Sequence, residues 1–108
     1  MLVGSIPTIE ASSIVFNDGA SAEVNVGANK TLKITTTPFN ATETITFSLG
    51  AGEDTYATIE KIDNRNVKVT GVVATTGESD VPAYVTITAT GGTSSQTASI
   101  KVTVKATS

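Results

Sequence analysis

Residues 37–47 read Thr37-Pro38-Phe39-Asn40-Ala41-Thr42-Glu43-Thr44-Ile45-Thr46-Phe47. Asn40-Ala41-Thr42 has the letters of an N-glycosylation acceptor, which would mark a decorated surface loop. The same letters also have a backbone explanation. Pro38 cannot donate to a sheet ladder, so a strand arriving from Thr31 must end beside it. Asn40 can then bond through its side chain to the backbone two residues on and close a turn. Beyond the turn, Ile45, Phe47 and Leu49 alternate with Thr44, Thr46 and Ser48, the pattern of a half-buried strand. We read the stretch as strand, turn, strand, and the sequon as structural. A second sequon, Asn29-Lys30-Thr31, straddles a strand start in the same way.

Working outward, the same period of two recurs. Leu32 and Ile34 alternate with Lys33 and Thr35, and Val67 and Val69 with Lys68 and Thr70. Val85, Ile87 and Ala89 alternate with Thr86 and Thr88; Ala98, Ile100, Val102 and Val104 alternate with Ser99, Lys101 and Thr103. Weaker strands are expected at 13–16, 22–26 and 56–62. Ile62 falls out of phase with Ile59, so a bulge or strand end is expected there. No stretch of ten residues or more carries the 3.6-residue period of an amphipathic helix. Turn formers punctuate the pattern: Asn17-Asp18-Gly19, Gly27, Gly50-Ala51-Gly52, residues 63–66, residues 77–80 and Gly91-Gly92. Outward lysines and threonines discourage edge-to-edge pairing.

Short strands at this spacing predict an all-β, antiparallel sandwich of about seven strands. Its expected core is Phe16, Val24, Val26, Leu32, Ile34, Ile45, Phe47, Leu49, Ile59, Val67, Val69, Val85, Ile87, Ile100, Val102 and Val104. Each large member contributes about 1.5–3 kcal/mol on full burial. Residues 1–11, with Pro7 and little pattern, are expected to be a lead-in arm, and residues 12–106 the domain.

Composition excludes several kinds of chemistry. The 108 residues contain no cysteine, histidine or tryptophan. Disulfides, thiolate nucleophiles, imidazole bases and zinc sites of the usual ligand types therefore fall away. Ten acids against seven bases leave a formal charge of −3, and the lysines are scattered, which argues against a nucleic-acid partner. No run approaches the ~20 apolar residues of a membrane-spanning helix, so membrane insertion is not expected. The opening residues lack the basic and long apolar segments of a signal peptide.

The motifs, taken in order, resemble a known family. Val26-Gly27-Ala28-Asn29-Lys30-Thr31-Leu32 is similar to the "VGxxxTL" entry to the second strand of bacterial immunoglobulin-like group 2 domains. Thr37-Pro38-Phe39-Asn40-Ala41-Thr42 resembles that family's "TPxNAT" connection, and Ile45-Thr46-Phe47-Ser48 its "VTWS" strand, with Phe47 in place of tryptophan. Tyr56-Ala57-Thr58-Ile59 with Val67-Lys68-Val69-Thr70-Gly71 resembles "VATV…GxVTG", and the strands 84–89 and 98–104 resemble its closing pair. The resemblance runs from about residue 13 to 104. Residues 72–84 are longer than the family's compact turn, and there we expect features particular to this chain.

The resemblance implies a non-catalytic immunoglobulin-like module with no cofactor. It implies two settings: a bacteriophage virion, where such domains decorate capsids or tails and touch host surfaces, or a stalk of a bacterial cell-surface adhesin of the invasin and intimin kind. The first is favoured by a short chain with its own Met1 and no tandem copy. A carbohydrate-binding accessory domain is the third reading, disfavoured by the missing tryptophan. The expected partners are other virion or surface-protein subunits, or a cell-surface polysaccharide.

Partner binding is expected on the long turn, at Thr75, Thr76, Glu78, Ser79, Asp80, Pro82 and Tyr84, or on an exposed sheet face. Tyr84, Tyr56 and Phe39 are the rings most able to anchor a protein, although packing at the core edge is the plainer reading of all three. Glu53, Asp54, Asp63, Glu78 and Asp80 lie in expected turns and could gather round Ca²⁺ at one end. No calcium-loop spacing is present, however, and turns favour acids anyway, so no metal is assigned. No carboxylate sits in an apolar run that would raise its pKa for acid–base work.

Overall fold

The structure, a computed structural model, describes residues 8–78 and 80–106. Among these residues eight strands follow one another: β1 (Ser13–Phe16), β2 (Ser21–Asn25), β3 (Asn29–Thr37), β4 (Ile45–Leu49), β5 (Ala57–Asp63), β6 (Asn66–Gly71), β7 (Val85–Gly91) and β8 (Thr97–Lys105). A single 3₁₀ turn, Glu53–Thr55, joins β4 to β5. The alternation of threonine and lysine with aliphatic residues produces this outcome directly. In β7 every second residue from Val85 to Gly91 is buried, and β3 buries Leu32, Ile34 and Thr36 while exposing Lys33, Thr35 and Thr37.

The strands form two four-stranded sheets, ordered β1-β3-β6-β5 and β2-β8-β7-β4. With β1 as A and β8 as G, the first is the ABED sheet and the second contains CFG, the immunoglobulin arrangement. One pair departs from the expected antiparallel pattern: β2 runs parallel to β8, with Ser21 opposite Lys101 and Asn25 opposite Lys105. The reason is local. After β1 pairs antiparallel with β3, the chain turns through residues 17–20, with Gly19 at φ 90°, and continues in the other sheet. The two weaker strands expected at 13–16 and 22–26 thus lie one on each layer, as β1 and β2, and the described residues form eight strands where about seven were expected.

The expected core is the observed one. Leu32, Ile34, Ile45, Val67, Val69, Val85, Ile87, Ile100, Val102 and Val104 are fully buried, and Val26, Phe47, Leu49 and Ile59 are half-buried against them. Phe16 and Val24 are buried as well, and Ile14, Ala11, Ala41, Ala57 and Ala89 complete the cluster. The ladder between β5 and β6 shifts register between Lys61 and Asp63, and Ile62 is exposed there, as its phase suggested.

The registers place the chain's entry and exit at opposite ends of the sandwich. Ile9, the 38–44 connection, the 64–65 turn and the 92–96 turn share the entry end; the 26–28 and 50–56 segments, the long turn after β6 and the last residues of β8 share the exit end. Residues 1–7 of the expected lead-in arm lie outside the described residues. Ile9 is joined to the domain: its carbonyl accepts from the amides of Thr42 (2.8 Å) and Glu43 (3.2 Å), and its own amide donates to Thr42 Oγ1 (2.8 Å). Ala11 is buried.

Candidate functional site

At the exit end, β8 runs three residues further than β7 can accompany it, because β7 begins at Val85 opposite Val102 and β8 ends at Lys105. Val104 would be left with a bare amide and carbonyl on that side. Thr75 takes both. Its amide donates to the Val104 carbonyl (2.8 Å), and its Oγ1 accepts from the Val104 amide (2.9 Å). Thr75 is only 7% exposed, so it completes the sheet and has no surface to offer a partner, which corrects its expected role.

The rest of the long turn projects into solvent. Thr76, Glu78 and Asp80 are exposed and Pro82 is half-buried; Ser79 lies outside the described residues. The turn is closed on itself by the amide of Gly77 donating to the Pro82 carbonyl (3.2 Å) and that of Val81 to the Glu78 carbonyl (2.8 Å). Gly77 and Asp80 hold positive φ, 75° and 72°. The Tyr56 hydroxyl reaches across to the Asp80 carbonyl (3.4 Å), tying the turn to the segment before β5. Tyr84 is partly exposed, and the Lys101 ammonium lies 4.9 Å from its ring centroid, a cation–π contact.

Phe39 behaves differently from both tyrosines. It is 83% exposed, so packing at the core edge, the plainer reading, does not hold for it. Its backbone is fixed all the same, since Arg65 Nη2 donates to the carbonyls of Phe39 and Ala41, each at 2.8 Å. The Asn40 side chain does not close the turn as expected. The Ala41 amide donating to the Pro38 carbonyl (3.1 Å) does so, and Thr42 is used to receive Ile9.

The residue that sequence reasoning missed is Glu43, at the entry end. It is 1% exposed. One carboxylate oxygen accepts from the amides of Thr93 (2.9 Å) and Ser94 (2.8 Å); the other accepts from the Ala11 amide (2.6 Å) and the Ser94 hydroxyl (2.7 Å). Burial alone would push its carboxyl up, but the Ser94 amide, the Ala11 amide, the Ser94 hydroxyl and the Thr93 amide outweigh burial and hold it at about 2. A signal for it existed: Glu43 is in phase with Ile45, Phe47 and Leu49, so the alternation pointed an acid inward. Gly91 makes room for it, since a Cβ there would lie 2.5 Å from Ser94 Oγ and 2.7 Å from Glu43 Oε1.

Two of the other turn acids, Glu53 and Asp63, are also engaged with backbone. Glu53 Oε1 accepts from the amides of Thr86 (2.7 Å) and Gly50 (3.1 Å). Asp63 accepts from the Arg65 amide (2.8 Å) and the Asn66 side chain (2.9 Å); these two, in that order, lower its pKa. Among the described residues no three acids converge where a cation could be held. An open depression beside β2 is lined by Glu23, Asn25, Asn29, Lys30 and Lys105 among others. Its charges are matched in pairs, Lys30 with Asp18 (3.4 Å) and Lys105 with Glu23 (3.2 Å).

These features define an all-β immunoglobulin-like sandwich whose polar side chains brace its loops. No protein-family model matches the chain, and no curated protein matches it in sequence. Among solved structures, endo-fucoidan hydrolase MfFcnA4 from glycoside hydrolase family 107 is similar at a TM-score of 0.54 and 22% identity, over 91% of this chain. The chain spans 14% of that enzyme's length. Titin domain M7 superposes at a TM-score of 0.46 and 13% identity, over 94% of this chain and 100% of that domain. A chimeric titin Z1Z2 does so at 0.46 and 17% identity, over 92% and 100%. The likeness to the hydrolase, at this identity, is one of fold.

Proposed function

We propose that this chain is a non-catalytic immunoglobulin-like structural and binding module of a surface assembly, on a bacteriophage virion. The observation that carries the non-catalytic part is the use made of the acids. Both oxygens of Glu43 are taken by backbone amides and the Ser94 hydroxyl, one oxygen of Glu53 accepts from two backbone amides, and Glu43 stays ionised at any neutral pH, with no proton to exchange. The virion setting comes from the sequence resemblance to bacterial immunoglobulin-like group 2 domains. A partner would dock on the exposed part of the long turn, Thr76, Glu78, Asp80 and Tyr84. Its chemistry is that of another subunit of the assembly or of a surface polysaccharide.

A second reading, a stalk module of a bacterial surface protein, is favoured by the entry and exit of the chain at opposite ends, which suits modules strung in series. Mass spectrometry of gradient-purified phage particles and of the cell-surface fraction from the source organism tests both. Stoichiometric presence in particles is expected. Presence only in the cell-surface fraction would favour the stalk. Release of reducing ends from fucoidan or another polysaccharide by the purified chain would overturn the non-catalytic reading.

A further inference from the structure

We propose that the open edge of β4 pairs antiparallel with the β4 edge of a second copy of this chain, joining the two β2-β8-β7-β4 sheets into one. The inference is independent of the setting proposed above.

Strand β4 is the last in its sheet, bonded to β7 on one side only. The Gly92 amide donates to the Thr44 carbonyl and the Gly50 amide to the Thr86 carbonyl, which fixes the phase of the ladder. Residues 44, 46, 48 and 50 turn their amides and carbonyls toward β7; Ile45, Phe47 and Leu49 turn theirs outward. At Ile45 both outward groups are taken: the amide donates to Asn64 Oδ1 (3.2 Å), and Lys61 Nζ donates to the carbonyl. At Phe47 and Leu49, among the described residues, none of the four outward groups has a partner.

The other three edges are defended. Strand β5 carries Glu60, Lys61 and the register shift before Asp63; β2 carries Glu23, paired with Lys105; β1 is four residues long and packs against β8. Strand β4 reads Ile45-Thr46-Phe47-Ser48-Leu49, with no charge, no proline and no bulge. That is the profile of an edge available for pairing.

The occupant follows from the pattern of free groups. An antiparallel pair of identical strands is self-complementary about a two-fold axis. Setting Phe47 opposite Phe47 would bring Leu49 against Ile45, whose groups are already used. Setting Phe47 opposite Leu49 of the second copy, and Leu49 opposite its Phe47, pairs every free amide with a free carbonyl and asks nothing of Ile45. That register also meets the apolar need, because Phe47 and Leu49 are half-buried and would cover each other's remaining surface. It places Ser48, exposed on the solvent face, opposite Ser48 of the second copy.

Sedimentation equilibrium over a concentration series, with Ser48→Lys and Ser48→Glu variants, tests the register. The unmodified chain should dimerise. Each variant alone should be monomeric, because like charges then face each other across the axis, and an equimolar mixture of the two should regain the dimer. If either variant melts abnormally, hydrogen exchange on the unmodified chain decides instead: the Phe47 and Leu49 amides should slow as the concentration rises. The proposal is overturned if the unmodified chain is monomeric throughout, if both folded variants still dimerise, if their mixture stays monomeric, or if those two amides exchange at a rate independent of association.

Discussion

The two ends of the sandwich solve the same problem with different chemistry. At the exit end Thr75, a neutral residue, supplies the missing partner for both backbone groups of Val104, its amide for the carbonyl and its hydroxyl for the amide. At the entry end an ionised carboxylate, Glu43, gathers three backbone amides and a hydroxyl from two segments remote in sequence, residue 11 and the 93–94 turn. A threonine brings an amide that donates and a hydroxyl that accepts, so it suits a strand edge that offers one carbonyl and one amide. A carboxylate only accepts, so it suits a turn whose amides all converge. Buried polar groups are tolerable at either end because they are satisfied: no buried side-chain nitrogen or oxygen among the described residues lacks a partner.

The largest loss is expected at the entry end, on removal of the Glu43 carboxylate. Glu43→Ala would leave the Thr93, Ser94 and Ala11 amides without their acceptor, at an expected cost on the order of 3–5 kcal/mol, a large share of a small domain's stability. Urea unfolding measures it; a loss below about 1 kcal/mol would mean that water replaces the carboxylate at little cost.

The same clamp makes the entry end sensitive to acid. The carboxyl's ordinary value is 4.5 and its folded value about 2, so the ionised group stabilises the fold fully above pH 4.5. That contribution falls away as pH drops toward 2. Melting temperatures taken through this window should decline in the parent chain, and Glu43→Gln should show a flatter acid limb while being less stable at neutral pH. Equal slopes for the two would remove Glu43 as the cause.

Gly91→Ala probes the clamp from outside. Its Cβ would lie 2.5 Å from Ser94 Oγ and 2.7 Å from Glu43 Oε1, so Ser94 must shift, at roughly 1–3 kcal/mol. Thr75→Val at the other end keeps the shape and removes the hydroxyl, leaving the Val104 amide without its acceptor for about 1–2 kcal/mol. The smallest effect is expected from replacing residues 76–82 with a short glycine-containing turn while keeping Thr75. Stability should move by no more than about 0.5 kcal/mol, as for surface changes generally. A large loss there would show that the projecting turn helps to hold the sandwich.

Strand phase was legible because it is local. Leu32 with Ile34, and Val85 with Ile87, declare their inward face through their neighbours alone, and the cores expected and observed coincide around them. Ile62 announced its own exposure by breaking that phase. Asn40 misled because the turn it occupies is closed by backbone, and the residue two positions on is occupied with Ile9. Thr75 offered no signal: one threonine among many becomes a sheet-completing residue only because β7 stops short of Val104.

From its sequence the chain determined two layers of half-buried strand, the inward face of each, and the absence of thiol and imidazole chemistry. These depend on side-chain alternation and on which residue types are present, and neither requires knowing what lies across the core. Tertiary structure alone decided that the first two strands fall on different sheets, that Thr75 turns inward as a brace and Glu43 finds the amides it clamps, and that β4, among the described residues, keeps two residues with unpaired edges. Each of these depends on where hydrogen-bonding groups distant in sequence come to lie, and for Glu43 its acceptors' partners are up to 51 residues away.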